Sequence, residues 1–485
     1  MHLFKKFLYL RYELHALSVF YVYAHASLRC IQDPGSSEPD LFFPIFHLTY
    51  LKMSEYSHFE TLQVHAGRKS DPETGSCATP LYQTASYTFK SIEHAARLFE
   101  LKEDGYIYSR LSNPTTEVLE KRIAALEGGT AAVAVSSGQA AHLLTFQNIA
   151  SPGDNVVCAS SLYGGSYTLF NNSLRHFGID FRFAGGKEAS DFQRLTDSAT
   201  KAVFAETIGN SDYFVPDFEA LADICHKAGI PLIIDNTFGG GGYLFRPLDF
   251  GASIVTHSAT KWIGGHGNSI AGIVVDGGNF NWDNGRFPEF TEDCASYHGL
   301  NFWKTFGGVE NGQPNTAFAT RVRALGLRDL GCCLAPFNAL LILQGTETLS
   351  LRMQRAMDNT LELAEWLVKH PKVESVNYPG LKDNPSYANA RRYFKKGFGA
   401  VLSFAVKGSR EETARFVERL GLITHLVNVG DNKTLIAHPA STTHGQMDQT
   451  ALKAAGIGPG TLRLAVGIEH IDDLKADLEE SLNKL

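Results

Sequence analysis

Short apolar runs recur through the middle of the chain, at Ala132–Val135, Val156–Ala159, Ala202–Ala205, Leu232–Ile234, Ile254–Val255 and Ile270–Val275. Runs of this length with little polar alternation are strands buried on both faces. Amphipathic stretches such as Asp217–Lys227 separate most of them. The alternation predicts βαβ units, a large and mostly parallel sheet, and helices on both of its faces. One helix is framed at both ends: Asn113-Pro114-Thr115-Thr116 opens it, Leu119, Ile123 and Leu126 mark its apolar side, and Gly128-Gly129 close it. The rhythm breaks at 280–334, where Asn, Asp, Gly and aromatic residues predict a long functional loop or insertion rather than core. A long helical stretch follows from Pro336 to Lys369. Beyond it, Ala400–Val406 and Leu462–Val466 alternate with the helical patterns Arg410–Leu420 and Asp472–Leu482, which reads as a smaller α+β domain. The chain has no internal repeat and no low-complexity tract.

Residues 1–52 are of another kind, aromatic-rich and poor in acids. Lys5, Lys6 and Arg11 precede the apolar run Ala16–Tyr23, and Ala24-His25-Ala26 resembles a small-residue cleavage site. The run is shorter than the about 20 apolar residues that a bilayer requires. At Met53 the style turns polar and globular. The segment is read as an extension outside the mature protein, with a leader as the second reading. The expected organisation is therefore an extension at 1–52, an N-terminal arm at 53–111, a large domain at 112–335 that carries the insertion, and a small domain at 336–485.

With 485 residues, 44% of them hydrophobic, the chain can bury a large core and fill more than one domain. Its net charge of −7 is spread along the sequence, unlike the basic stripe of a nucleic-acid binder. The seven cysteines show no framework spacing, and neither C-x-x-C nor H-E-x-x-H occurs, so no metal site is expected. They read as reduced thiols in a reducing compartment, serving as small core residues.

Three places carry candidate chemistry. His257-Ser258-Ala259-Thr260-Lys261 follows an apolar strand. A lysine there is unusual, and an amine with hydroxyls beside it suits an aldehyde-bearing phosphate ester; a solvated lysine fits the same pattern. Asp235 ends the run Pro231–Ile234, and a carboxylate ending a buried strand is either paired, functional or the cap of the next turn. Val135-Ser136-Ser137-Gly138-Gln139 leads a strand into a helix, whose first N–H groups bind anions in the right context. Gly239–Gly242 lacks phosphate-motif spacing and is expected to be a flexible loop.

The order Tyr108-Ser109-Arg110, Ser136-Ser137-Gly138, Tyr163-Gly164-Gly165, Asp235-Asn236-Thr237 and Ser258-Ala259-Thr260-Lys261 resembles the Cys/Met-metabolism family of pyridoxal-phosphate enzymes, over about residues 57–485. The resemblance implies an α/β, aspartate aminotransferase-like fold (PLP fold type I) and pyridoxal 5'-phosphate as cofactor. It assigns Lys261 to hold the cofactor through its amine and to move protons, Asp235 to pair with the pyridinium nitrogen, and Tyr163 to stack on the ring and assist proton transfer. Gly138, Gln139, Ser258 and Thr260 are implied to bind the phosphate. Tyr108 and Arg110 are implied to reach the phosphate of a neighbouring subunit, so the protein is expected to be at least a dimer and to pair into a tetramer. Arg463 matches the clamp for the substrate carboxylate, and Asn210 and Ser441 match supporting positions.

Within the family, Gln139, Ile208-Gly209-Asn210, Asn428-Val429-Gly430-Asp431 and the insertion around Phe287–Leu300 resemble the O-acetylhomoserine sulfhydrylase branch. That branch implies γ-replacement: O-acetyl-L-homoserine and sulfide become L-homocysteine and acetate, in methionine and cysteine biosynthesis. A cystathionine γ-synthase or γ-lyase shares every cofactor motif and is the alternative. A catalytically inactive scaffold is the non-enzyme alternative. Ser211-Asp212 departs from the proline usual after the asparagine. No membrane or nucleic-acid partner is implied, and a cytoplasmic location is expected.

Overall fold

The computed structural model describes residues 57–210, 212–308, 312–439, 458 and 460–485. The extension at 1–52 lies outside them, as does Ser441. The large sheet contains β1 (Ala131–Val135), β2 (Asn155–Ala159), β3 (Asp180–Ala184), β4 (Thr200–Glu206), β5 (Leu232–Asp235), β6 (Ile254–Ser258) and β7 (Gly272–Asp276). Their spatial order is β1-β7-β6-β5-β4-β2-β3. β3, β2, β4, β5 and β6 pair in parallel, whereas β7 runs antiparallel to both β6 and β1. β2, β4, β5 and β7 are buried along their whole length, as uninterrupted apolar runs require. β3 escaped the sequence reading because it is an edge strand, partly open to solvent, with Asp180 and Arg182 in its five residues.

The framed helix is Pro114–Glu127. The Asn113 side chain accepts the Thr115 N–H at 3.0 Å, proline occupies the first turn, and Gly128 closes the helix in the left-handed region at φ 79°. The helix begins at 114, as the sequence predicts, because proline needs no N–H partner there.

A smaller sheet contains β8 (Val373–Asn377), β9 (Val401–Val406), β10 (Thr424–His425), β11 (Leu435–Ala437) and β12 (Thr461–Ala465), in the order β10-β11-β12-β9-β8. Leu402, Phe404, Leu462 and Leu464 pack with Leu363 and Leu367 of the helix Leu349–Lys369 and with Leu474 and Leu478 of the helix Ile471–Leu482. This is the α+β unit expected at the C-terminal end, built on its own apolar cluster.

Three expectations are corrected. The stretch from Pro336 to Lys369 is two helices, Pro336–Thr346 and Leu349–Lys369. At the break, the buried Arg352 guanidinium donates to Gly345 O at 2.7 Å, Trp262 O at 2.9 Å and Ile263 O at 3.2 Å. It satisfies a helix-end carbonyl and the turn after Lys261 together. The 280–334 segment is packed rather than loop-like: Trp282, Phe287, Phe290, Phe302 and Phe318 are fully buried, and Trp282 stacks on Phe290 at 4.3 Å and on Phe318 at 5.5 Å. Aromatic area, not regular periodicity, drives its burial. Gly239–Gly242 is a buried tight turn instead of a flexible loop. Gly240, Gly241 and Gly242 have φ of 59°, 61° and 89°, and a Cβ on Gly242 would lie 2.6 Å from Leu126 O. The cysteine reading holds in part: the described cysteines are free thiols, but of these only Cys158 and Cys225 are buried.

Candidate active site

Strand direction gathers the candidate residues at one edge of the large sheet. Glu206 and Asp235 are register partners at the ends of β4 and β5. Val135 at the end of β1 and Ser258 at the end of β6 both pair with Gly272 of β7. The Ser136-Ser137-Gly138 turn is thereby laid against Ser258, and Lys261 follows three residues later. In open α/β sheets this carboxyl edge is where ligands bind.

The contact between the two turns is tight. A Cβ on Gly138 would lie 2.9 Å from Ser258 Cβ, and one on Gly272 would lie 2.0 Å from Ser137 O. Ser137 caps the helix Gly138–Gln147 by accepting the Ala140 N–H at 3.1 Å. The N–H groups of Gly138 and Gln139 then stand at the first turn, where an α-helix supplies no acceptor of its own. Ser258 N–H donates to Thr237 Oγ1 at 2.8 Å. The Thr260 hydroxyl closes a pair with Ala271, donating to its carbonyl at 3.2 Å and accepting its N–H at 3.0 Å.

Asp235 is 9% exposed. Its Oδ1 accepts the Thr237 N–H at 2.9 Å and the Thr237 hydroxyl at 2.5 Å, and its Oδ2 stands 3.2 Å from His142 Nε2. Burial works to raise the carboxyl, but the His142 and Thr237 contacts outweigh it and hold Asp235 below the usual carboxylate range. An anion kept in a dry site suits a cationic ring nitrogen. Glu206 beside it behaves oppositely: burial first, and the Asp235 charge second, push its carboxyl well above the ordinary value.

Lys261 Nζ donates to Asn428 Oδ1. Burial, and then the charge of Arg463, lower its amine to about 8. Arg463 lies on β12 and donates to Asn210 Oδ1 at 3.2 Å. The structure thus brings Lys261, Arg463 and Asn210 together. Tyr163 is half exposed and sits ahead of the short helix Gly164–Thr168, its N–H donating to Glu206 Oε1 at 2.6 Å. Tyr163 and Gln139 meet over Gly165, where a Cβ would lie 2.4 Å from Tyr163 Cε1 and 2.8 Å from Gln139 Nε2. Tyr108 and Arg110 stand apart on the arm, both exposed, with the guanidinium 5.6 Å from the ring centroid.

These residues fit a phosphorylated pyridine aldehyde. There is a depressed amine for the aldehyde, an anion for the ring nitrogen, and a glycine-lined helix start for the phosphate.

Residues 60–483 match the family model described as Cys/Met metabolism PLP-dependent enzyme. The chain belongs to that family. It is 52% identical to O-acetyl-L-homoserine sulfhydrylase 1 of Thermus thermophilus, covering 87% of this chain and 99% of that protein. It is 52% identical to homocysteine synthase of Schizosaccharomyces pombe, covering 88% and 99%. Among solved structures, an O-acetylhomoserine (thiol)-lyase chain of Campylobacter jejuni superposes with a TM-score of 0.82 at 38% identity, covering 88% of this chain and all of that one; it carries a pyridoxyl-lysine phosphate. Family membership shows the fold expected from the motif order, an aspartate aminotransferase-like α/β architecture, and its dependence on pyridoxal phosphate.

Five further residues stand at the candidate site without a role in the sequence reading. His142 lies four residues after Gly138, hence on the same helix face as the phosphate turn. Glu206 ends a buried apolar strand, the same criterion that singled out Asp235. Thr237 follows Asp235 in the motif order and Asn428 marks the branch, and neither position by itself signals a contact with Asp235 or Lys261. Arg352 gave no local signal for the site, since the contacts that tie it to the turn after Lys261 reach Trp262 and Ile263, 90 and 89 positions away.

Proposed function

We propose that the protein is a transferase that makes L-homocysteine and acetate from O-acetyl-L-homoserine and sulfide. When bound, pyridoxal phosphate supplies the electron-withdrawing ring that makes the substrate's carbon-bound protons acidic. Asp235, held anionic, keeps the ring nitrogen protonated. Lys261 takes and returns protons at Cα and Cβ of the substrate, a task suited to an amine near neutrality. Arg463 would clamp the substrate carboxylate, a task that the planar fork of its guanidinium suits. Tyr163 would stack on the ring, Gly138, Gln139, Ser258 and Thr260 would hold the phosphate, and Ser441 and Asn210 would support substrate and cofactor. Acetate leaves from Cγ and hydrosulfide takes its place.

The observation that carries this reading is a buried Lys261 amine that meets Asn428 and feels the charge of Arg463, at the sheet edge that also holds Asp235. Identity of about half to proteins named as sulfhydrylases and homocysteine synthases supports the choice of substrates. The exposed Tyr108–Arg110 pair supports a dimer that shares its sites, pairing of such dimers into a tetramer completes the reading, and the biosynthetic relatives support a cytoplasmic location. The test is to incubate purified protein with O-acetyl-L-homoserine and sulfide. Homocysteine and acetate in equal amounts are expected. Turnover of cystathionine without any sulfide-dependent homocysteine overturns the proposal in favour of a lyase.

A further inference from the structure

Glu206 touches both walls of the site and has no task in the proposed reaction. Its Oε1 accepts the Tyr163 N–H at 2.6 Å, and its carboxyl also accepts the backbone N–H of Asn210. Asn210 in turn receives Arg463 through its side chain at 3.2 Å. A single buried carboxyl therefore links the main chain beneath the Tyr163 ring to the loop that meets the Arg463 guanidinium. That loop is under backbone strain. Tyr213 is buried with φ 58°, in the left-handed region that a bulky residue rarely occupies, and its N–H donates to Gly209 O at 3.0 Å. Strain of this kind persists only when surrounding contacts fix the loop, and Glu206 is one such contact from inside the sheet.

We infer that Glu206 is a positioning residue for the reaction proposed above: its carboxyl sets the Tyr163 ring over the cofactor and, through Asn210, the Arg463 clamp over the substrate carboxylate. It acts as an acceptor of N–H groups, not as a charge. Glu206 and Asp235 are register partners on one sheet face, and two buried carboxylates side by side do not both ionise. Asp235 has His142 and Thr237 to hold its charge, while the carboxyl of Asp212 adds further repulsion at Glu206. The proton resides on Glu206.

The inference rests on the proposed reaction but is tested apart from it. Wild type, Glu206→Leu, Glu206→Gln and Asn210→Ala are compared in three readouts. These are the affinity of the cofactor-free protein for pyridoxal phosphate, the circular dichroism of the bound cofactor, and kcat and KM for O-acetyl-L-homoserine. Glu206→Leu is expected to weaken the cofactor dichroism and to raise KM about tenfold, as for the loss of one well-made hydrogen bond. Glu206→Gln, whose amide oxygen accepts the same N–H groups, is expected to recover both readouts. Asn210→Ala is expected to share the KM rise. A Glu206→Gln protein with weakened dichroism and a KM raised about tenfold overturns the inference, and so does a Glu206→Leu protein with wild-type dichroism and KM. If Glu206→Leu does not accumulate in folded form, Glu206→Gln and Asn210→Ala decide alone. A wild-type protein without a cofactor band fails the proposed function. A wild-type protein that makes homocysteine, beside an unaffected Glu206→Leu, fails only the role of Glu206.

Discussion

His142 Nε2 stands 3.2 Å from Asp235 Oδ2, and both side chains are buried. The imidazole packs against Phe170 and Phe204, with ring centroids at 5.6 and 5.2 Å, and these contacts restrict its movement away from the carboxylate. The contact opposes the burial that would otherwise neutralise Asp235. Removing it by His142→Leu is predicted to let the Asp235 carboxyl rise and to lower kcat by about tenfold or more, the cost of one hydrogen bond to a charged group. Asp235→Asn is predicted to cost at least about a hundredfold, as loss of a preorganised charge does. Steady-state kinetics on the cofactor-saturated variants check the order: Asp235→Asn must fall below His142→Leu.

The Lys261 amine of the cofactor-free protein is predicted to titrate at about 8, lowered first by burial and then by Arg463. An unfolded chain holds that lysine at its ordinary 10.5. Between these two values the unfolded state binds more protons, so this residue's contribution makes stability increase with pH across the window. Reductive methylation of the cofactor-free protein, followed by peptide mass analysis, gives the midpoint directly. Lys261 should reach half its limiting rate near pH 8, ahead of the exposed lysines.

Arg463→Lys keeps the charge and loses the planar fork. It is predicted to raise KM for O-acetyl-L-homoserine by about tenfold, the size of one lost charge-assisted hydrogen bond, while the absorbance of the bound cofactor stays as in wild type. A KM unchanged by this substitution removes Arg463 from the carboxylate site.

Gly272 has no room for a side chain, since its Cβ would meet Ser137 O at 2.0 Å and Gly138 N at 2.9 Å. Gly272→Ala is predicted to push the phosphate turn away from Ser258. Overpacking of this kind costs about 1–3 kcal/mol of stability. A lower melting temperature and a weaker affinity for pyridoxal phosphate are expected together. Weaker binding without destabilisation would contradict the clash.

Much of the large sheet was legible because β2, β4, β5 and β7 are buried end to end and therefore read as plain apolar runs. Asp235 and Lys261 stood out as charges interrupting that pattern. The 280–334 segment misled because Trp282 and its phenylalanine partners bury themselves without helix or strand periodicity. Arg352 and Asn428 were hidden for a different reason. Asn428 meets Lys261 across 167 positions and Arg352 meets Trp262 across 90, and no local pattern encodes such contacts. Glu206 was readable in principle, one residue beyond the run Ala202–Ala205.

The proposed chemistry requires a pyridoxal group joined to the amine of Lys261. Borohydride reduction of the purified protein, digestion and mass spectrometry of the peptides locate that bond. One phosphopyridoxyl group per chain is predicted, on the peptide containing Lys261, and none in Lys261→Ala. A label on another lysine, or no label on a folded chain supplied with pyridoxal phosphate, would contradict it.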